Sequence, residues 1–343
     1  MQAFQIVEPQ TAELREVPVP EPGPGQVLIK VGGAGACHSD LHLMDGPADR
    51  LPPLPFTLGH ENAGWVEKLG PGTNGFAPGD PVMVYGPWGC GHCANCRVGM
   101  ENYCENPGAI AAGGLGSDGG MAPYMLVPST RFLIPLGTLD PREAAPLADA
   151  ALTSYHAVKR SLHLLGPGST AVVIGAGGVG QMAIQILRAL TSATTVVALD
   201  TAADKLATAK RMGADEALLS GDAAVSRIKD MTRGQGAQVV LDMVGVAATM
   251  RMAAQVARVR GDVTLVGLGG GAFPVNFDSP PHECSVASPY WGFIGELMEV
   301  LTLAQAGKIQ MLVEQFPLER AGEAYQLLRE GRIQGRAVIT PNG

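Results

Sequence analysis

The chain has few charged residues and is short of basic ones. Charged side chains make up 16% of its 343 residues, and 24 lysines and arginines face 32 acidic residues, which gives a net charge of -8. No basic cluster is longer than Lys210-Arg211. A nucleic-acid-binding surface needs clustered positive charge, so nucleic acid is excluded as a partner. The hydrophobic content of 46% can fill sizeable cores and argues against disorder.

Long uninterrupted apolar runs are also missing. The most apolar stretch, residues 169–190, is interrupted by glycines and glutamines, so it indicates a strand, a turn and a helix, and not a membrane span. The N-terminus carries Glu8 and lacks the basic and apolar regions of a secretory signal. We therefore expect a cytoplasmic protein that has no membrane partner.

Cysteine is scarce, yet its distribution is uneven. Of the 6 cysteines, four follow a CxxCxxCx7C pattern in a glycine-rich segment: Cys90, Cys93, Cys96 and Cys104. Tetrahedral zinc takes four thiolates, and such a closed shell leaves no position for a substrate. The pattern predicts a structural zinc site. An iron–sulfur cluster is the chemical alternative, although the spacing differs from that of ferredoxins.

The pattern of apolar runs and turn residues along the chain changes near residue 150. Before it, short β-branched runs are separated by glycine and proline, which is typical of a β-rich or barrel-like lobe. After it, apolar runs at 170–174, 195–199, 238–242 and 263–266 alternate with helical patterns, one of them at 247–260. This alternation predicts buried parallel strands with crossover helices, and hence a doubly wound α/β sheet.

A glycine-rich turn follows the first of these apolar runs and opens a helical pattern. Its residues are Gly175, Ala176, Gly177, Gly178, Val179 and Gly180. The first glycine of such a fingerprint permits a tight turn, the second lets the backbone approach a pyrophosphate, and the third allows close helix packing. Asp200 ends the next apolar run, where its carboxylate can accept hydrogen bonds from ribose hydroxyls and would repel a 2′-phosphate. The segment predicts binding of NAD in preference to NADP.

A third group of residues could bind metal near the N-terminus. Cys37 lies in the sequence CHSDLH and His60 in the sequence GHE. A thiolate and an imidazole are zinc ligands, and an open position beside them would make the site catalytic. Each of these two motifs alone is weak evidence for a metal site, because a lone histidine is more often packed in the core or solvated than bound to a metal. In one chain with a four-cysteine loop and a dinucleotide fingerprint, the pair indicates a second zinc.

These motifs, in this order and over nearly the whole chain, resemble those of the zinc-dependent medium-chain alcohol dehydrogenases. The runs Tyr85–Cys90 and Pro289–Gly292 are similar to those of bacterial NAD-dependent secondary-alcohol dehydrogenases. The resemblance implies a β-rich, GroES-like catalytic domain at 1–148 and 286–343, and a Rossmann NAD-binding domain at 149–285. It also implies a homodimer or homotetramer.

The same resemblance implies roles around the catalytic zinc. Cys37 and His60 would be ligands together with Asp149, which stands where many relatives carry cysteine, and Glu61 would be an alternate ligand. Asp40 would orient His60, as metal-bound histidines usually require.

A proton path is implied as well. Ser39 would hydrogen-bond the substrate oxygen, and His42 would pass the proton to solvent, a task that suits an imidazole.

The resemblance further implies contacts to the cofactor and the substrate. His38 and Arg336 would contact the pyrophosphate, Lys205 the adenosine ribose, and Thr153 the nicotinamide side. The residues expected near the nicotinamide ring or its ribose are Val244, Val266 and Leu268. The residues expected in the substrate pocket are Trp88, Leu115 and Trp291.

The function that follows is hydride transfer between NAD and an alcohol, ketone or aldehyde. The apolar flanks at Trp88 and Trp291 favour a hydrophobic secondary alcohol or ketone. Asp149 keeps a polyol dehydrogenase open as an alternative, since such enzymes usually carry a carboxylate at this position, and a primary-alcohol dehydrogenase is open too. A non-catalytic NAD-binding protein is less favoured, because a suitable residue stands at every ligand and relay position.

Overall fold

The chain divides into two units in the computed structural model, which describes residues 1–47, 49, 51–106, 111–273 and 275–343. The first unit contains Met1–Leu152, Phe293–Gln305 and Met311–Gly343, and the second contains Thr153–Gly292 and Ala306–Gln310. These two units are separated by their packing. The domain boundaries at 148/149 and 285/286 were inferred from the family resemblance, and they stay predictions.

The strands, numbered along the chain, are β1 (Gln2–Glu8), β2 (Thr11–Glu16), β3 (Val27–Ala36), β4 (Phe56–Thr57), β5 (Glu61–Leu69), β6 (Pro81–Val84), β7 (Pro87–Trp88), β8 (Ala111–Ala112), β9 (Tyr124–Val127), β10 (Leu133–Pro135), β11 (Thr170–Ile174), β12 (Thr195–Asp200), β13 (Glu216–Leu219), β14 (Ala237–Asp242), β15 (Ala257–Leu265), β16 (Ser285–Ala287), β17 (Val313–Pro317) and β18 (Arg336–Thr340).

The α-helices are α1 (His38–Met44), α2 (Ala94–Arg97), α3 (Pro141–Ala144), α4 (Ala150–Ser161), α5 (Gly178–Leu190), α6 (Ala203–Arg211), α7 (Asp222–Met231), α8 (Ala247–Val256), α9 (Ile294–Gln305) and α10 (Ala321–Arg329). In the part of the chain that the structure describes, no helix combines the length and the apolar character needed to cross a membrane.

The first unit is built on a mixed sheet with the strand order β10-β6-β5-β3-β18-β17, and β9 also pairs with β3. Two smaller sheets, β2-β1-β4 and β7-β8, also belong to this unit. Strand β3 pairs with β5 on one side, where Gly35 lies opposite Glu61, and with β18 on the other, where Ala36 lies opposite Ala337. The sheet confirms the predicted β-rich lobe, and it brings the C-terminal strand next to the N-terminal motifs.

The second unit is a parallel sheet with the strand order β13-β12-β11-β14-β15-β16. Along the chain this is the order 3-2-1-4-5-6 of a doubly wound dinucleotide-binding sheet, so the predicted α/β class is confirmed. Its core is apolar and fully buried, with Val172, Val197 and Val240 on neighbouring strands.

One helix ends earlier than the sequence predicted. The helical pattern extends to residue 260, but α8 ends at Val256 and β15 begins at Ala257. Ala257 is fully buried and pairs with Ala237 of β14, and this sheet pairing outweighs the helical preference of the segment.

Candidate active site and metal centres

The N-terminus of helix α1 carries the first predicted metal ligand. Cys37 is buried at the end of β3 and is the residue from which α1 starts. Its backbone N–H donates to Asp40 Oδ2 at 2.9 Å. A carboxylate three residues into a helix satisfies such a free N–H group, as in a capping box. Starting the helix therefore fixes the carboxylate of Asp40 beside Cys37.

Asp40 joins three parts of the chain. Its Oδ1 lies 2.8 Å from His60 Nδ1, and its Oδ2 accepts a hydrogen bond of 2.8 Å from the Tyr325 hydroxyl. All three side chains are almost completely buried. Because the carboxylate accepts from Nδ1, Nε2 of His60 remains available for a metal. The predicted orienting contact of Asp40 is present, and the contribution of Tyr325 was not visible in the sequence.

Four potential ligand side chains converge next to this network. One donor atom each from Cys37, His60, Glu61 and Asp149 lies within 4.8 Å of all the others. Asp149 Oδ2 is 3.9 Å from Cys37 Sγ and 3.5 Å from His60 Nε2. Zinc bonds of about 2.0–2.3 Å place tetrahedral ligand atoms about 3.3–3.8 Å apart. Cys37, His60 and Asp149 therefore fit a zinc ion with little rearrangement.

Glu61 is held by a partner of its own. Arg336, from the start of β18, donates to Glu61 Oε2 at 2.8 Å and to Oε1 at 2.5 Å, and both side chains are buried. A Cβ atom on Gly35 would overlap the Glu61 carboxylate, so the glycine opposite it makes room for this pair. With Glu61 neutralised by Arg336, the thiolate of Cys37 and the carboxylate of Asp149 together match the charge of Zn²⁺.

The pKa values show how strongly the site attracts positive charge. Burial lowers the pKa of His60, but the Asp40 and Asp149 carboxylates outweigh it and raise this pKa well above its usual value. Burial raises the pKa of Glu61 to about 6 against the opposing effect of Arg336. A buried group of acidic side chains around one imidazole is an environment that a divalent cation stabilises.

The residues of the predicted proton path lie on α1. Ser39 Oγ is 3.6 Å from Cys37 Sγ and is half-buried, so its hydroxyl stands beside the candidate ligands. His42 is exposed one turn further along the helix, and His38 is exposed at its start. These positions suit a hydroxyl near the reacting oxygen and an imidazole in contact with solvent, and the roles themselves stay predictions.

The four-cysteine loop forms a second metal centre. All donor atoms of Cys90, Cys93, Cys96 and Cys104 lie within 4.8 Å of one another, and the sulfur atoms of Cys90 and Cys96 are 3.9 Å apart. Zinc–sulfur bonds of about 2.3 Å would place two thiolates about 3.8 Å apart. Among the described residues the cysteines form no disulfide. The loop fits a closed four-thiolate zinc.

Backbone N–H groups prepare these sulfur atoms for a metal. Cys93 N–H donates to Cys90 Sγ, and Cys96 N–H donates to Cys93 Sγ, each at 3.4 Å. The N–H of His92 contributes most to lowering the pKa of Cys90, which falls to about 5 despite the opposing effect of burial. Thiolates are the form that zinc binds, so these bonds favour metal binding at Cys90, whereas burial raises the pKa of Cys96.

The glycine-rich turn after β11 has the form that a dinucleotide requires. Gly175 has a φ of 92°, which favours glycine, and a Cβ on Gly180 would overlap the Gly175 carbonyl. At Gly177, where α5 starts, a Cβ would meet nothing within 4 Å. The first and third glycines are thus needed by the turn itself. The second faces open space, where a phosphate group can approach the helix N-terminus.

Asp200 lies at the end of β12 beside this turn. Its Oδ2 accepts from the Ala176 N–H at 2.8 Å and its Oδ1 from the Ala202 N–H at 3.0 Å. Each oxygen keeps a second lone pair for a ribose hydroxyl. Lys205 is half-buried in the first turn of α6, close in sequence to Asp200. The pair of residues predicted at the adenosine ribose is therefore on neighbouring elements.

The apolar residues predicted near the nicotinamide follow the carboxyl ends of β14 and β15. Val244 is partly exposed and Leu268 is 63% exposed, while Val266 is half-buried. Ligands of doubly wound sheets bind at this edge, so apolar side chains left in solvent here suit a cofactor ring. Thr153 is half-buried in α4.

Sequence reasoning missed Asp242, the last residue of β14. Its buried carboxylate accepts from the N–H groups of Val244 and Gly245 at 2.9 and 3.0 Å, and from the Thr249 hydroxyl at 2.8 Å. These bonds fix the loop that carries Val244. An aspartate at the end of an apolar run was the available signal in the sequence.

The three residues predicted in the substrate pocket differ in their burial and contacts. Trp88 is buried, donates from its indole N–H to the Tyr85 carbonyl at 2.9 Å, and lines a cavity of about 770 Å³ in the first unit. Leu115 is half-buried. Trp291 is buried with a φ of 56° and contacts the Tyr290 ring. Their role in substrate binding stays a prediction.

Comparisons with known families cover both units. The family described as alcohol dehydrogenase GroES-like domain matches residues 23–138, and the family described as zinc-binding dehydrogenase matches residues 178–306.

Individual relatives match over nearly the full length. An NAD-dependent alcohol dehydrogenase of Sulfurisphaera tokodaii is 37% identical, with 99% of this chain and 100% of the relative covered. A D-arabinose 1-dehydrogenase (NADP(+)) of Saccharolobus solfataricus is also 37% identical, with 96% of this chain and 94% of the relative covered. The crystal structure of the alcohol dehydrogenase from Aeropyrum pernix has a TM-score of 0.92 and 36% identity, with 99% of this chain and 100% of that chain covered.

Proposed function

Because the chain belongs to the zinc-containing medium-chain alcohol dehydrogenase family, we propose that Cys37, His60 and Asp149 hold its catalytic zinc. The protein is an NAD-dependent alcohol dehydrogenase with zinc and NAD as cofactors. The observation that carries the assignment of the site is the convergence of the three donor atoms beside Asp40. The thiolates of Cys90, Cys93, Cys96 and Cys104 hold the structural zinc.

The residues around the catalytic site have separable tasks. When bound, zinc supplies a Lewis acid for the substrate oxygen, and NAD supplies the acceptor of the hydride. Asp40 keeps the His60 ring in the orientation that directs Nε2 towards Asp149. Ser39 can hydrogen-bond the hydroxyl of the substrate, and the exposed His42 can exchange the proton with solvent. Arg336 keeps Glu61 ionised in the apolar interior.

We propose NAD, and not NADP, as the preferred cofactor because of Asp200. A 2′-phosphate next to its carboxylate would meet like charge, and Thr201, the next residue, is uncharged. Val244, Val266 and Leu268 would pack on the nicotinamide side, and His38, Thr153, Lys205 and Arg336 complete the proposed cofactor contacts.

The substrate we propose is a hydrophobic secondary alcohol or the corresponding ketone. Trp88, Leu115 and Trp291 are apolar, and a pocket lined by them would bind few hydroxyl groups well. A polyol or sugar is the second candidate, since Asp149 adds a carboxylate to the site and one relative is named a D-arabinose 1-dehydrogenase (NADP(+)).

For the assembly we propose a homodimer, which can pair into a tetramer. Strand β16 lies at the edge of the parallel sheet and is short. Close to it in sequence, Val275 and Phe277 are 72% and 85% exposed. An edge strand, and exposed large apolar side chains close to it in sequence, suit a second copy of the chain.

A substrate panel tests the proposed function. Primary alcohols, aliphatic and aryl secondary alcohols, and polyols or sugars would be oxidised with NAD and, separately, with NADP, while NADH or NADPH absorbance is recorded. We expect the highest kcat/KM with NAD and a hydrophobic secondary alcohol. A higher value with sugars would favour the second candidate, and no turnover of any alcohol by protein carrying both zinc ions would contradict the proposal.

A further inference from the structure

The C-terminal helix α10 reaches the candidate metal site through one hydroxyl group. Tyr325 is 2% exposed, and its hydroxyl donates to Asp40 Oδ2 at 2.8 Å across 285 residues of sequence. Its ring stacks on Phe4, with centroids 5.9 Å apart and planes inclined by 17°. The ring is thus packed from one side, and the hydroxyl lies closest to the buried carboxylate of Asp40, with the Met121 sulfur further away at 3.3 Å.

Asp40 depends on this hydroxyl for part of its stabilisation. The carboxylate is fully buried and accepts from the Cys37 N–H, from His60 Nδ1 and from Tyr325. A buried carboxylate that loses a donor keeps its desolvation cost, and the remaining donors must compensate for the loss. Here the remaining donors belong to Cys37 and His60, the two residues that also face the metal.

We propose that Tyr325 is a positioning residue of the catalytic metal site, which acts through Asp40 to hold His60 in its metal-binding orientation. This inference rests on the proposed function, because it assumes that His60 binds the catalytic zinc. The Tyr325 hydroxyl binds Oδ2 of Asp40, so Oδ1 stays directed at Nδ1 of His60. The His60 ring therefore cannot turn without breaking its hydrogen bond to Asp40. Residues that hold a metal ligand in place through hydrogen bonds contribute to the affinity of the site for its metal and to retention of the metal.

A purely structural role for Tyr325 would be to attach α10 to α1. A surface contact also attaches α10 to the end of α1: Arg329 Nη2 lies 2.8 Å from Oδ1 of Asp45, the residue that follows α1. Arg329→Gln is therefore a matched control for helix attachment. Tyr85→Phe is a control for the loss of a buried hydroxyl away from Asp40: the Tyr85 side chain is fully buried and its hydroxyl interacts with Asn102 in the four-cysteine loop.

The experiment measures zinc release from purified holoprotein to a chromogenic chelator, for the wild type, Tyr325→Phe, Arg329→Gln and Tyr85→Phe. Phenylalanine keeps the ring on Phe4 and removes only the hydroxyl. Zinc remaining on the protein is counted by native mass spectrometry. We expect Tyr325→Phe to release one zinc about tenfold faster than the wild type, with the second zinc unchanged. The two control variants should release the zinc bound by Cys37, His60 and Asp149 at the wild-type rate.

Two results would overturn the inference. One is a Tyr325→Phe release rate equal to that of the wild type. The other is acceleration of equal size in Arg329→Gln, which would assign the effect to helix attachment. In an Asp40→Asn background, Tyr325→Phe should cause no further acceleration, and an undiminished effect there would also contradict action through Asp40.

Failure of the proposed function has a different signature. Cys37→Ala would then leave the zinc content of the protein unchanged, whatever the behaviour of Tyr325→Phe. If Cys37→Ala removes one zinc and Tyr325→Phe leaves its release unaltered, only the role of Tyr325 is refuted.

Discussion

Arg336 and Glu61 form a two-point ion pair in the interior of the first unit, with Nε–Oε2 and Nη2–Oε1 distances of 2.8 and 2.5 Å. The residues are 275 positions apart and are 4% and 0% exposed. Arg336 Nη2 also lies 3.5 Å from Asp149 Oδ2. One guanidinium thus balances Glu61 and adjoins a candidate metal ligand, so its loss should affect both stability and metal retention.

Replacing Arg336 by methionine should destabilise the protein strongly. The buried carboxylate of Glu61 would lose its partner, and breaking such a pair typically costs about 3–5 kcal/mol. The double variant with Glu61→Gln should recover a large part of the loss, because no unpaired charge then remains. Urea unfolding of the zinc-loaded proteins measures both. Arg320→Met, which breaks a surface pair with Glu323, is the control and should change little. Equal losses in the single and double variants would refute the explanation.

The two metal centres should separate by mutation. Cys90→Ala should remove one zinc and lower thermal stability, because metal binding to a closed thiolate site contributes directly to folding free energy. Cys37→Ala should remove the other zinc and abolish activity, while the melting temperature stays nearly unchanged. Elemental analysis, activity and thermal unfolding of each variant check this. A fully active wild type that contains a single zinc would disprove the assignment.

Cofactor preference should follow the charge next to the adenosine ribose. The double variant Asp200→Gly, Thr201→Arg removes a negative charge and supplies a cation that can pair with a phosphate. We expect kcat/KM for NADP to rise and that for NAD to fall. The variant also removes the carboxylate that accepts from the Ala176 and Ala202 N–H groups, so Asp200→Asn, which keeps the side-chain shape and one of the two acceptor oxygens, serves as a control. A wild type that already prefers NADP would contradict the prediction.

Ser39 and His42 should act on the same proton. Ser39→Ala removes a hydroxyl next to the candidate ligands and should lower kcat by about a hundredfold, whereas His42→Gln should lower it by roughly tenfold, because solvent can replace an exposed base. The effects should not be additive, since one path is already interrupted in either variant. Measuring kcat for both single variants and the double variant between mildly acidic and mildly alkaline pH checks this. Full additivity would mean that the two residues act independently.

Cys284 should react slowly with alkylating reagents and should do so in a pH-dependent way. Burial, with a contribution from Asp262, raises the pKa of its thiol to about 11. The thiol therefore stays protonated at pH 8, where an ordinary cysteine with a pKa of about 8.5 is partly ionised, and its alkylation should be on the order of a hundredfold slower. The rate should rise about tenfold per pH unit up to the pKa. Labelling of the zinc-loaded wild type, with Cys284→Ser as the control, tests this by peptide mass spectrometry. A rate independent of pH would be inconsistent with the raised pKa.

Features that depend on short spacing along the chain could be predicted from the amino-acid sequence. Four cysteines within one loop can meet around a zinc with little help from the rest of the chain, and the glycine fingerprint between a strand and a helix fixes its own backbone shape. The alternation of apolar runs and helical patterns likewise predicted the parallel sheet. In each case neighbouring residues impose the geometry, so their order along the chain is sufficient.

The distant residues that complete the site could be identified only in the folded chain. Arg336 reaches Glu61 because β18 pairs with β3, and Tyr325 reaches Asp40 because α10 packs on α1. In the sequence, Tyr325 is one more apolar position of an amphipathic helix, and its hydroxyl carries no pattern. The early end of α8 at Val256 has the same origin, since the strand pairing of Ala257 overrides local preference. Pairing across hundreds of residues depends on the packing of the whole sheet, which local spacing does not encode.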